Sequence, residues 1–463
     1  MRAALALVLV PLLSGCPDRT IAGVPVEQGT VDVKDIPAVP RRDVDILFLI
    51  DDSLSMKEEQ ASLKANFSRF IAVLESLDGG LPNIHIGVTT PNLGTSAIDG
   101  TRGASVGTCV GEGEGGRLRH LPGGGAAFIS DVDNGGGGRL RNYAGTLTDA
   151  FNQIAEVGSS GCGIEQHLEA VKRALDNNPE NAGFLRPNAY LAVIIVADED
   201  DCSLAKSTLF EGNQADSTYG DRVNFKCTHE GIECDSPSND LELVGVRQDC
   251  HPKYDSTVVT QIDRYVDFLK RKKADPRDVI VAGIVGDAGP FEVIKKGNVS
   301  VLKQSCVYNG PAGPQYAYPG IRMGDFLGQF ADRNTRTTIC NDDLSGAMTQ
   351  IAALLKRTLA DPCFELELAD ADLTEPGVQF DCTVVDTRYV PNQPPEELSV
   401  VPACDAARSR IPCWRIEEDA VHCSYTKTDP HRKLVVERGG VIPGPDIHVR
   451  ASCVTIPASG QLY

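Results

Sequence analysis

Two acid-bearing turns in this sequence each follow an apolar run. Asp51-Asp52-Ser53-Leu54-Ser55 comes after Val44 to Ile50, and Asp198-Glu199-Asp200-Asp201 comes after Leu191 to Ala197. Carboxylates and hydroxyls are hard oxygen donors. Mg2+ takes a near-octahedral oxygen set at about 2.0–2.1 Å and keeps several waters. Ser53 and Ser55, two residues apart on an extended turn, point the same way and can ligate directly. Asp51 and Asp198 can hold bound waters and supply charge. The competing explanation is structural: serine is a preferred helix N-cap, and a helical pattern begins near Met56.

The elements that must position these groups are legible as alternating patterns. Val44–Ile50 is a short, nearly continuous apolar run of the kind found in strands buried on both faces. Leu63, Phe67, Phe70, Ile71, Leu74 and Leu77 fall at helical spacing over 56–77, and Gly79-Gly80 stops that helix. Strands are predicted at 84–90, 191–197 and 279–285. Helices are predicted at 146–156, 164–176, 258–270, 323–330 and 344–359. Apolar strands alternating with helices predict an α/β fold, a doubly wound, mostly parallel sheet flanked by helices on both faces. In open sheets of that kind ligands sit outside the carboxyl ends of the strands, so Asp51 and Asp198 can meet although far apart in sequence. The Gly-rich stretch 91–140 and the turn-rich stretch 202–255, which holds four cysteines, read as insertions. From 361 to 463 helical runs vanish and six cysteines accompany short strand-like pieces, predicting a small disulfide-rich β domain.

The Asp51-x-Ser53-x-Ser55 turn after an apolar strand, with Asp198 after a later one, resembles the metal-ion-dependent adhesion site of von Willebrand factor A domains. The resemblance covers roughly 42–360, with insertions. It implies one divalent cation, Mg2+ (or Mn2+/Ca2+), with a coordination position left open for a carboxylate from a protein or extracellular-matrix ligand. That family also uses a loop threonine. The matching loop here is Gly158-Ser159-Ser160-Gly161-Cys162-Gly163, which puts the role on Ser160, with Ser159 as the alternative. The following Gly161-Cys162-Gly163-Ile164-Glu165-Gln166 is untypical of animal A domains and resembles a Cys-rich group of bacterial lipoproteins.

The start of the chain carries an address. Met1-Arg2 and a short apolar run predict a secretory signal over 1–15. Leu13-Ser14-Gly15-Cys16 resembles the bacterial lipobox, which implies lipidation at Cys16 and a membrane anchor. Asp18 is not directly after Cys16, so an outer-membrane location in the envelope is expected. Residues 16–41, with four prolines, read as a tether. Fifteen cysteines less Cys16 leave fourteen, enough for seven disulfides in a secreted chain. Cys109–Cys162 is one expected bridge, fastening the Gly-rich stretch beside the cation. The short Cys227–Cys234 interval suits a loop staple. A net charge of -20 argues against nucleic acid as a partner.

Other motifs lack their context. Asp131-Val132-Asp133-Asn134-Gly135-Gly136 opens like a calcium loop but has Asn142 where a glutamate is needed, and Asp370-Ala371-Asp372 is thinner still. Gly103-Ala104-Ser105-Val106-Gly107 matches GxSxG without the strand and helix of a nucleophile elbow. Asp52, Glu199, Asp200 and Asp201 read as solvated charge or an acidic rim. The expectation is a binding protein rather than an enzyme. The alternatives are an envelope scaffold with a non-functional cation site and a hydrolase whose site lies in 202–255 or the β domain.

Overall fold

The computed structural model describes residues 31–38, 41–77, 79–210, 223–311, 313–359, 362–371, 374, 377–390, 393–420, 423, 426, 428–444 and 446–456. The signal segment, Cys16 and most of the proposed tether lie outside the described residues, as does Asp372. No described helix is long and apolar enough to cross a membrane.

The largest sheet has seven strands, in spatial order Asn334–Thr338, Val279–Val285, Tyr190–Ala197, Asp43–Ile50, Asn83–Thr89, Ile129–Asp133 and Arg139–Arg141. The first five run parallel, and the last two add antiparallel at one edge. Asp43–Ile50 sits at the centre because its side chains suit burial on both faces. Ile46, Phe48 and Ile50 point to one apolar cluster, Leu47 and Leu49 to the other. Helices Lys57–Glu75, Leu147–Ile154 and Ser345–Thr358 cover the first face; His167–Leu175, Asp263–Lys270 and Ile321–Gly328 cover the second. Phe48, Phe67, Phe70 and Phe151 interlock, with Phe67 stacked on Phe151. Such pairs add about 0.5–1.5 kcal/mol beyond burial.

The expected doubly wound, mostly parallel α/β architecture is overturned for the chain. The described residues form nineteen strands against seven α-helices. Four of the five sheets are antiparallel throughout, and the fifth is mixed. The four apolar runs behind the expectation are a minority of the strands. The others are polar or alternating, and periodicity alone does not distinguish them from loop. Within the stretch read as a loop, 129–133 and 139–141 form the sheet edge. The stretch 202–255 contributes the hairpin Ile232–Ser236 and Gly245–Pro252. That hairpin joins Phe291–Lys296 and Val299–Leu302 in a four-stranded sheet.

All fourteen cysteines from Cys109 to Cys453 pair, forming seven disulfides, including Cys109–Cys162. The Cys227–Cys234 staple is not formed: Cys227 bonds Cys202 and Cys234 bonds Cys250. The C-terminal sheet orders Val31–Pro37, Ile447–Val454, Cys382–Arg388 and Glu396–Val401, with a separate hairpin Cys413–Glu418 and Arg432–Glu437. Trp414, Phe364 and Val449 lie in its core. The end of the expected tether is therefore an edge strand: Val31–Pro37 pairs antiparallel with Ile447–Val454 from Val31↔Val454 to Pro37↔His448. Arg277 bonds Asp35 across to this sheet, and Arg41 pairs with Asp278 at the amino ends of the central strands.

Candidate metal centre

Strand pairing brings the two acidic turns together. Val196 is in register with Ile50, and the Asp51 amide donates to the Val196 carbonyl at 3.0 Å. Asp51 and Asp198 thus leave adjacent parallel strands at the same carboxyl edge. The Ser53 amide donates to Asp51 Oδ1 at 2.7 Å, turning the chain back on itself. The Ser53 and Ser55 hydroxyls lie 3.1 Å apart, within hydrogen-bonding distance of each other. Neither serine caps a helix: the short helical turn after Ser53 and the helix from Lys57 both start without a side-chain cap bond. Their hydroxyls bond each other instead. Four predicted residues, Asp51, Ser53, Ser55 and Asp198, converge.

Ser160 comes from a different segment. It is exposed, on a loop strapped over the Asp51 turn. Gln60 Nε2 donates to the carbonyls of both Asp51 and Gly158 at 2.8 Å, and the Gly161 amide donates to the Asp52 carbonyl at 2.8 Å. A Cβ at Gly161 would lie 2.1 Å from Asp52 Oδ1, so any other residue here would have to displace the Asp52 side chain. The Cys109–Cys162 bridge and a 2.5 Å bond from Thr108 to the Gly161 carbonyl hold the loop from its other side.

Just beyond that loop come two residues to which sequence reasoning gave no role. Glu165 and His167 each place a donor atom within 4.8 Å of the other and of Asp51. His167 Nε2 is 3.8 Å from Asp51 Oδ2 and 3.7 Å from Glu165 Oε2, too far for hydrogen bonds. An acid and an imidazole two apart at a helix start are a weak signal in sequence. Only the fold brings them behind Asp51.

Buried polar groups are ordinarily hydrogen-bonded. Here Asp51 Oδ2, Asp198 Oδ1, both carboxylate oxygens of Glu165 and both ring nitrogens of His167 make no hydrogen bond and are screened from solvent. Among the described residues, no lysine or arginine forms an ion pair with Asp51, Glu165 or Asp198. Burial and the charge of Asp51 push Glu165 and Asp198 well above the usual carboxyl range. Burial opposes ionisation of Asp51 too, but the contacts with His167 and Glu165 win and hold it low. Asp52, 6% exposed, is pushed up to about 7 by burial and then by Asp51. Unmet hard donors around concentrated negative charge fit a divalent cation.

The rest of the second turn is structural. Asp201 is 1% exposed, bonds Arg322 at 2.9 Å and accepts from the Leu168 amide at 3.0 Å. Asp200 accepts from the amides of Arg322 and Met323 at 2.8 and 2.9 Å. Neither belongs to an acidic rim or to solvated charge; they fasten helix starts to the turn. The calcium-loop reading of 131–136 also fails, because Asp131 is engaged by Arg139, Arg141 and Tyr143 in the edge hairpin.

No family model matches the chain, and no curated protein matches it. Among solved structures, the chain is similar to the pilus adhesin SpaC from Lactobacillus rhamnosus GG. The identity is 9%, covering 94% of this chain and 43% of that one, with a TM-score of 0.31. It is also similar to the pilus adhesin RrgA from Streptococcus pneumoniae, at 10% identity, 92% and 58% coverage and a TM-score of 0.26. The human COPII-coat protein Sec24c scores 0.28 at 10% identity, with 90% and 40% coverage. The chain spans about half the length of the structures it matches. At these scores the likeness carries no inference about fold or function.

Proposed function

We propose that this chain is an envelope protein that captures a protein or matrix ligand by seating that ligand's carboxylate on a divalent cation, with no catalytic step. The cation, Mg2+ or in its place Mn2+ or Ca2+, is held by the Ser53 and Ser55 hydroxyls, while Asp51 and Asp198 orient its waters. Lipidation of Cys16 ties the chain to the membrane. The observation that supports the reading is the pair of buried carboxylates, Asp51 and Asp198, with unbonded oxygens beside two uncapped serine hydroxyls at one sheet edge. Hydroxyl donors leave positive charge on the cation, which favours an incoming anion.

The test is capture from envelope extract and from matrix proteins, with and without EDTA. Capture should need the cation, vanish in the Ser53→Ala, Asp198→Ala double variant, and vanish when the partner's carboxyls are amidated. Capture by the folded double variant at wild-type strength refutes the reading. Absence of heat on titrating millimolar Mg2+ and Mn2+ supports an envelope scaffold instead.

A further inference from the structure

We propose that a second cation seat lies on the inner side of Asp51, formed by Asp51, Glu165 and His167, and that it takes a borderline divalent ion such as Zn2+. The donors differ from those of the outer seat. The outer one offers only oxygen, from hydroxyls and carboxylates. The inner one adds an imidazole, the donor that favours Zn2+ and similar ions over Mg2+ and Ca2+.

The geometry is that of ligands awaiting an ion. Donors at about 2.0–2.2 Å from a tetrahedral Zn2+ stand roughly 3.3–3.6 Å from one another. The separations of 3.7 and 3.8 Å from His167 Nε2 to Glu165 and Asp51 are close to that, while exceeding any hydrogen bond. Glu165 is 2% exposed and His167 fully buried, and every polar side-chain atom of both is unbonded. An imidazole and a carboxylate left so carry the desolvation cost of buried, unmet polar groups. Asp51 divides its oxygens between the seats: Oδ1 accepts the Ser53 amide, and Oδ2 faces His167 and Glu165.

Asp51, Asp52, Glu165 and Asp198 are four buried carboxyls that form no ion pair with a lysine or arginine among the described residues. Glu165 also lines a partly open pocket of about 20 Å3 with Gly163, Glu199 and Tyr318, room for one water-sized ligand. Disulfides Cys109–Cys162 and Cys202–Cys227 fix the backbone on both sides of this pocket. The seat does not depend on the outer one binding anything.

The experiment is calorimetric titration of the EDTA-stripped, re-dialysed full chain with Zn2+ in saturating Mg2+. X-ray absorption on the zinc-loaded wild type follows. One equivalent of Zn2+ should bind while Mg2+ stays bound, and the absorption spectrum should contain one imidazole nitrogen. His167→Gln and Glu165→Gln should weaken Zn2+ by at least about 100-fold and leave Mg2+ unchanged. Ser53→Ala should do the reverse, so failure of the outer seat is told apart from failure of this one. His251→Ala, at a surface histidine within reach of Glu233 and Asp235, should change neither. Circular dichroism in EDTA checks that each variant folds. The proposal is overturned if Zn2+ binds the folded His167→Gln variant as tightly as wild type. It is equally overturned if Mg2+ displaces Zn2+ one for one, or if the wild-type spectrum lacks imidazole.

Discussion

Replacing Asp52 with asparagine removes a charge from the crowded turn without changing its shape. Asp52 is 6% exposed, one of its oxygens is unbonded, and burial with the neighbouring Asp51 charge raises it from 3.8 to about 7. A carboxyl held above its unfolded value binds its proton more tightly when folded. Stability from this group is therefore lost as pH rises from the unfolded value towards about 7, and is constant above it. The loss runs at about 1.4 kcal/mol per pH unit. Asparagine does not titrate. In EDTA, urea unfolding should show the Asp52→Asn variant gaining about 3 kcal/mol relative to wild type between pH 5 and pH 8, whatever constant offset the amide introduces. With Mg2+ present the gain should shrink, because a bound cation favours the ionised carboxylate. An equal stability difference at both pH values in EDTA would refute the electrostatic account of the turn.

Two further perturbations test how the turn is supported. Arg322→Ala leaves Asp201 as an uncompensated buried charge and should cost about 3–5 kcal/mol in urea unfolding, far more than a surface arginine; a cost below 1 kcal/mol would contradict the assigned role. Replacing Cys109 and Cys162 together by serine opens a loop of sequence separation 53 and should cost about 2–4 kcal/mol. It should also weaken Mg2+ binding, since the Gly161 strap loses its outer fastening; unchanged Mg2+ affinity would show the strap to be irrelevant to the cation.

Local pattern carried much of the site. Asp51, Ser53, Ser55 and Asp198 were legible because apolar runs mark strand ends and strand ends meet in space. Glu165 and His167 were not, since their approach to Asp51 depends on how the helix from His167 docks, with Asp201 holding the Leu168 amide and Gln166 bonded to Ser96 and Leu204. Ser160 was chosen on a hydroxyl counted along a loop, and it is exposed beside the strap at Gly161. The architecture was harder. Asn334–Thr338 is a polar edge strand, and Gly313–Ala317 holds a proline and a glycine, so neither advertises itself. Val31–Pro37 alternates weakly among prolines and pairs only with residues more than four hundred positions away.

That last strand ties the two ends of the described chain together. It enters at Val31, runs in register along Ile447–Val454, and leads through Arg41, clamped to Asp278, into Asp43–Ile50 and so to the cation turn. Removing Val31–Pro37 would leave Ile447–Val454 paired on one side only, with Cys382–Arg388, and would bare a seven-residue edge that the amino-terminal strand now covers.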